Sequence, residues 1–436
     1  MPYQAGNRLP GERASKLGHL EVLKSPLVNS LCKNFETPSN DEDTSSQACT
    51  WIDLPQTGRL LPIIFGVDGS IQTVRGNTEP RKEMSFIKTA LLRLDQTALS
   101  KIDKNTPHPF ALKKLMTNSA LYHATVIPLK NVRVSGITVY DSVRQVIFDS
   151  MNDASLNGET LETLKWIVYE KWDGREKPLP AFQCPHCPSK NASLDFDCNE
   201  GVCKSCGGLL FVTDMLGFHL DMTEDFAPDT VGTMYMLIHE TMLLFTGVRH
   251  YWETNREILN DCLFIKDGPL TMRAQYSKLV APIRRFFAYA KSEGIIVNMI
   301  GQEKSGKFWD FLDVVNKNAP VGSIFIPGDK FIKEEVQHRA DEGAPYGIDT
   351  NYGAKVFVKI DNYHHMVLSI PTGDFKAYPT VDDLIGADNI FRTIPTILSS
   401  RYEGALLPVE LANGVASLST YPSARILRVF SDSFES

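Results

Sequence analysis

Two periods of apolar and polar positions run through this chain, and the stretches where each dominates predict a mixed α and β fold. Residues 60–70, LLPIIFGVDGS, form a near-continuous apolar run about as long as one buried strand. The run ends in Asp-Gly, so it predicts a central strand passing into a turn, with Asp68 at the strand's end. Residues from Pro80 to Leu99 have helical spacing; Thr125–Pro128 and Arg133–Tyr140 predict strands, and Thr160–Tyr169 a helix. A long helical pattern occupies Thr230 to about Asn260, after which CLFIKDGPL repeats the theme of a buried strand ending in Asp-Gly. Tyr276–Glu293 predicts another helix and Ile295–Ile300 another strand. AKVFVKI and HMVLSIP predict an antiparallel hairpin joined by DNYH, and Asp382–Leu398 a helix. Near the start, His19–Phe35 has a short helical pattern, followed by the polar tract TPSNDEDTSSQ, which has too little apolar content to pack.

Interrupting this order is a cysteine module at about residues 178–213. Cys184-Pro-His-Cys187 and Cys203-Lys-Ser-Cys206-Gly-Gly are two knuckles able to close four thiolates tetrahedrally around zinc. One pair could instead be a redox dithiol, but two pairs with a strand-like ASLDFD between them favour a zinc ribbon. Four thiolates leave no open position for water, so this zinc is expected to be structural. His186 and Cys198 are spare donors without an assigned role.

Composition narrows the picture. The chain has 436 residues, 43% hydrophobic and 22% charged, which suits a globular fold with a sizeable core. No uninterrupted apolar run approaches the ~20 residues of a spanning helix and the polar start lacks a secretory core, so no membrane association and a cytoplasmic location are expected. A net charge of -7 excludes a surface that grips nucleic acid everywhere, and the basic stretch at 273–307 is the one place where local contact is expected if its charges are not merely a solvated face. Organisation into an N-terminal helix and polar linker (1–58), a first catalytic part (59–177), the ribbon (178–213) and a second catalytic part (214–436) is expected.

Asp68 and Asp267 each stand between an apolar strand and a glycine. Carboxylates gathered at neighbouring strand ends can hold hard divalent ions such as magnesium or manganese, a pair of which would serve phosphodiester hydrolysis. Either motif alone reads as turn chemistry ahead of a metal ligand. A third carboxylate is expected from the preceding helix. A strand from Leu263 to Asp267 spans about 16 Å at ~3.3 Å per residue, so a ligand on a returning helix needs roughly eleven residues of path. That ranks Glu240 above Glu253 and Glu257. Residues 301–307, GQEKSGK, nearly spell a phosphate-binding loop, but Phe308 replaces the hydroxyl that would ligate magnesium, which argues against NTP hydrolysis and leaves Lys304 to hold a backbone phosphate or stay solvated.

Taken in order, IIFGVDGS, LFIKDGPL, and VNMIGQEKS after a strand resemble the NurA nucleases, partners of HerA-type hexameric ATPases, over most of residues 60–420. The resemblance implies an α/β fold with an RNase H-like mixed sheet, flanking helices and, here, an inserted four-cysteine zinc ribbon. It also implies manganese or magnesium bound by Asp68, Glu240 and Asp267, with Lys304 assisting, action on DNA in end processing or anti-phage defence, a HerA-like partner and a homodimer. GALLPVELAN departs from the family's terminal motif: Gly404, Pro408 and Ala412 remain, while Ala405 and Asn413 stand where tyrosine and histidine are expected, with His364 or His365 as candidate substitutes. The alternatives are a catalytically weak or inactive adaptor of the same fold that binds the motor and DNA through its ribbon, and a zinc-ribbon nucleic-acid-binding module joined to an unrelated α/β domain.

Overall fold

The computed structural model describes residues 22–35, 49–77, 79–96, 120–339, 343–399, 401, 404–418 and 422–433. Two units are distinguished, Met1–Ala48 and Cys49–Ser436. The first contains helix α1, Pro26–Asn34, which begins where the Ser25 side chain accepts from the Val28 N–H and proline occupies the first turn. The TPSNDEDTSSQ tract lies outside the described residues.

The second unit is built on one nine-stranded mixed sheet, in the order β1 (Ile52–Asp53), β9 (Ser323–Phe325), β10 (Ala354–Lys359), β11 (His365–Ile370), β8 (Met299–Glu303), β7 (Cys262–Asp267), β2 (Ile63–Arg75), β3 (Glu83–Asp95), β4 (Ala120–Lys130). The three strands β2, β7 and β8 are parallel and every other pairing is antiparallel. A two-stranded ribbon, β5 (Glu200–Val202) and β6 (Leu209–Phe211), stands apart from it.

Both faces of the central strands are covered, which explains why they read as continuous apolar runs. Side chains alternate across a strand. On one face Phe65, Val67 and Phe264 join a core with helices α2 (Val139–Met151), α3 (Glu159–Val168), α4 (Asp229–Thr254) and α5 (Val280–Ser292). On the other, Ile64, Leu263 and Ile265 pack with helices α7 (Ala387–Thr393) and α8 (Leu407–Ala416). A smaller cluster gathers helix α6 (Lys307–Val315) against Phe325, Phe357 and Val367, and helix α9 (Ser423–Asp432) follows α8. Helix α4, 26 residues long, is apolar enough to cross a membrane, but 72% of its most apolar window is buried inside the fold, so its apolar surface is already used as core.

Several local expectations are corrected. The segment from Pro80 is not helical: Glu83–Asp95 is a strand paired with β2 along all its length and with β4 on its other edge. Its leucines and Ala90 favour helix locally, and the two ladders outweigh that preference. Residues 97–99 lie outside the described residues. Arg133–Tyr140 is not a strand but a turn that leads into α2, capped by the Thr138 hydroxyl, which accepts from the Asp141 N–H. The strand expected at Ile295 begins at Met299, and the helix expected over 382–398 is broken by Gly386, at φ +77°, and by Pro395.

Candidate metal centres

Asp68, expected at a strand end, lies inside β2 instead. The ladder to β3 runs straight through Asp68↔Ala90 and Gly69↔Thr89, whereas the parallel ladder to β7 stops at Val67↔Lys266. Asp68 therefore sits where β7 leaves its side, and the glycine after it serves a close approach rather than a turn. A Cβ on Gly69 would come within 2.5 Å of Glu240 Oε1 and 2.7 Å of Met236 Cγ, so α4 packs against bare backbone there. Asp267 does end its strand. Gly268 turns the chain at φ +85°, its N–H donates to the Gln302 carbonyl at 2.7 Å, and the turn crosses β8 at Gly301, where a Cβ would meet the Gly268 oxygen at 2.6 Å.

The fold thus brings Asp68 of β2, Glu240 of α4 and Asp267 of β7 within electrostatic reach of one another, and just past β8 stands Lys304, whose Nζ is 2.9 Å from Asp267 Oδ1. Glu253 instead lies beside Arg249, and Glu257 accepts from the Asn260 side chain. Asp68 is 4% exposed, and its Oδ2 has no hydrogen-bond partner. Burial, then the neighbouring Asp267 and Glu240 carboxylates, push the Asp68 pKa up to about 7, against the Gly69 N–H and Lys304, which favour its anion. Burial also raises the Glu240 carboxyl, opposed by Lys266. A buried carboxylate oxygen lacking a donor, with two more carboxylates nearby, is a charge arrangement that a cation would relieve, whereas among the described residues the four cysteines are the group of three or more ligand atoms that lie within 4.8 Å of one another.

Lys266 carries no signal in the sequence, where a lysine next to a strand-end aspartate reads as an exposed position. It is 3% exposed and donates to Glu240 Oε2 at 3.0 Å and to the Asp267 carbonyl at 2.9 Å. His364 and His365 are committed elsewhere, His364 to Asp361 at 2.8 Å and His365 to Asn316 at 3.2 Å with its ring stacked on Trp309. In the terminal motif, Ala405 is buried and Asn413 exposed, and the Gln302 side chain bonds to both the Gly404 carbonyl and the Leu406 N–H, stitching this segment to β8.

In the cysteine module, the ligand atoms of Cys184, Cys187, Cys203 and Cys206 all lie within 4.8 Å of one another. The sulfurs of Cys184 and Cys206, and of Cys187 and Cys203, are 3.9 Å apart, too far for disulfides and suited to a shared ion. The backbone N–H groups of Ser205 and Cys206 draw the Cys203 thiol down to about 6, towards the thiolate that a metal needs. Arg144 anchors the module: its guanidinium forks onto Asp214 at 2.9 and 2.8 Å and donates to the Leu209 carbonyl at 2.8 Å.

The basic stretch at 273–307 is largely used internally. Arg284 donates to the carbonyls of Ile348 and Gly347, Arg285 pairs with Glu170, and Lys278 donates to the Ala181 carbonyl.

No family model matches the chain, and no curated protein matches it. Among solved structures, the chain is similar to a crystal structure of NurA at 12% identity and a TM-score of 0.29, with 97% of this chain and 98% of that one covered. It is similar to a crystal structure of NurA with manganese at 10% identity and a TM-score of 0.26, covering 97% and 99%. A crystal structure of NurA bound to dAMP and manganese is similar at 10% identity and a TM-score of 0.27, covering 96% and 97%.

Proposed function

We propose that this chain is a NurA-like nuclease that hydrolyses DNA phosphodiester bonds with a divalent cation held by Asp68, Glu240 and Asp267. The observation that carries the reading is Asp68 itself, buried, with one oxygen unpartnered and two more carboxylates beside it. Such an arrangement costs stability and has no packing role to offset that cost. The sheet supports an RNase H-like reading, since the antiparallel meander β2–β3–β4 carries two successive parallel strands, β7 and β8, on the free side of its first member.

A bound manganese or magnesium ion supplies Lewis-acid activation of the phosphodiester and makes an attacking water more acidic. Asp68 and Asp267 provide anionic oxygens on rigid strands, and Glu240 lies over the Gly69 backbone, paired with Lys266. Lys304, 35% exposed beside Asp267, is placed to meet a backbone phosphate. The four cysteines hold a structural zinc. The working complex is a homodimer fed by a HerA-like hexameric ATPase, in end processing or anti-phage defence.

Nuclease assays on DNA with manganese, run with and without the HerA-like partner, test the reading. Asp68→Asn and Asp267→Asn should each lower cleavage by at least a hundredfold while circular dichroism stays unchanged. Full activity of the double variant in the assembled complex would place the active site elsewhere, and an inactive wild-type complex would favour the adaptor alternative.

A further inference from the structure

We infer that α9 and the adjoining ends of β2 and β3 form a track for single-stranded DNA that leads towards Asp68. The inference rests on the nuclease reading and names where that substrate is held outside the cutting site. Two hydrogen bonds tie α9 alongside β2: ahead of the helix the Leu418 N–H donates to Ser70 Oγ at 3.0 Å, and at its far end the Asn77 N–H donates to Asp432 Oδ1 at 3.4 Å. Ser70 lies on the same face of β2 as Asp68. Between those ties Leu427 packs against the small apolar cluster of Val74, Met84 and Phe86, as does Val132 of the segment after β4. The helix therefore runs outward along β2 from the Asp68 side, for about 15 Å at ~1.5 Å per residue.

The outer face of α9 is both basic and apolar. Ser431 is its buried residue, while Ile426, Val429 and Phe430 are each more than half exposed. With Leu427 inward, 3.6 residues per turn puts Arg425 and Arg428 on one flank, Ile426 and Phe430 on the other and Val429 between them. The arginine flank leads past Asp432 to Arg75 at the end of β2 and Arg81 just ahead of β3. The Asn131 side chain, donating to the Arg81 carbonyl at 2.7 Å, brings Arg133 alongside. These arginines are all exposed, with Lys82 beside them, and the acids among them are Glu79, Asp432 and Glu83, which pairs with Arg75 at 3.4 Å. In a chain of net charge -7 this is a local concentration of positive charge, and it lies outside the 273–307 stretch, whose arginines are taken up by internal contacts. Beyond Lys130, which bridges to Phe226, the surface turns acidic at Glu224 and Asp225 and bounds the track. Guanidinium forks match phosphate oxygens. Exposed apolar and aromatic side chains beside them offer unpaired bases a stacking surface, which a duplex, its bases already stacked, cannot use.

Fluorescence anisotropy of a labelled oligothymidylate of about 16 nucleotides, added to the full, zinc-loaded chain without manganese or magnesium, tests this without any reaction. Arg425→Gln combined with Arg428→Gln should weaken binding at least tenfold. It should also make the fall of log affinity with log salt shallower by about 1.4, since each lost phosphate contact on a single strand removes ~0.7. Lys291→Gln combined with Lys317→Gln, the same loss of charge elsewhere on the surface, should change neither. Phe430→Ala should lower affinity for the single strand at least fivefold and leave that for a duplex of equal length unchanged. Equal weakening by the two double variants, tighter binding of the duplex than of the single strand, or no binding at all would overturn the inference. If Phe430→Ala loosens α9, the exposed arginine pair decides alone. The nuclease reading is judged separately, by manganese-dependent cleavage and its loss in Asp68→Asn: cleavage that depends on Asp68 while the arginine pair leaves DNA binding untouched would remove the track and keep the nuclease.

Discussion

Asp68 is held in a state that favours its proton, and this has a thermodynamic consequence in the metal-free chain. Its pKa is about 7 in the folded protein against an ordinary value of 3.8, raised by burial first and by Asp267 and Glu240 second. Between those two values the folded state binds a proton that the unfolded state has released, so the stability contribution present below about pH 4 is lost as pH rises through 7. Asp68→Asn, which keeps the shape without the charge, should therefore be more stable than the wild type at pH 8 by roughly 2 to 4 kcal/mol, and equal to it near pH 4. Thermal unfolding in chelator at both pH values measures this; an Asn variant less stable at pH 8 contradicts it. Both aspartates were legible in the sequence because an apolar run stops at each. Lys266 was not, because alternation cannot tell a polar residue turned to solvent from one turned to a buried partner on the covered face.

At the scale of elements, the site depends on how closely α4 lies on β2. Gly69→Ala would drive a methyl group into Glu240 Oε1 and Met236 Cγ. The variant should weaken manganese binding at least tenfold by displacing Glu240, and lower stability by roughly 1 to 3 kcal/mol; an unchanged manganese affinity would show that Glu240 does not need this gap. The same helix carries a second polar contact. His239, fully buried, stacks on His123 of β4 at 4.6 Å and bonds to the Thr89 hydroxyl at 2.8 Å, while His123 bonds to Asp153 at 3.1 Å. Burial lowers the pKa of both rings, more for His239. Their stability contribution is thus present above pH 6.5 and lost as pH falls below it. His239→Gln should flatten the fall in melting temperature between pH 7 and 5, and an identical slope would show that the pair is not responsible. Periodicity located α3, α4 and the β10–β11 hairpin, whose cores bury one pattern consistently. It failed for β3, where helix-forming leucines and Ala90 sit between two strands, and for the residues before α2, where a capped turn imitates an extended run. The first is distant pairing overriding local preference, and the second is a local cap that periodicity does not register.

In the molecule as a whole, the cysteine module is not a free appendage. Phe182, Cys184, Leu194, Cys203, Leu210 and Phe211 belong to the same apolar core as Phe65 of β2 and Phe245 of α4. Because the module shares that core, losing a cysteine ligand there acts on the whole second unit. Cys203→Ser, or removal of zinc by a strong chelator, should lower the melting temperature of the entire second unit by several degrees in one transition. Two separate transitions, or none, would contradict this, as would elemental analysis finding no zinc. DNA binding by the isolated protein should fall steeply with salt, because at a net charge of -7 any contact to DNA is local and its Lys and Arg contacts act by counterion release; affinity unchanged between about 50 and 200 mM salt would contradict it.

The residues proposed for the carboxylate centre are spread over a long stretch of chain: Asp68 comes early, Glu240 and Asp267 more than 170 residues later, and Lys304 later still. β7 can pair with β2 only after the whole cysteine module and α4 have left the ribosome, and β8, with Lys304, follows it. A chain still short of residue 262 therefore carries Asp68 and at most Glu240, without Asp267 or Lys304. A protein able to cut DNA would be harmless while it is being made, and a truncated product ending before residue 262 would remain so.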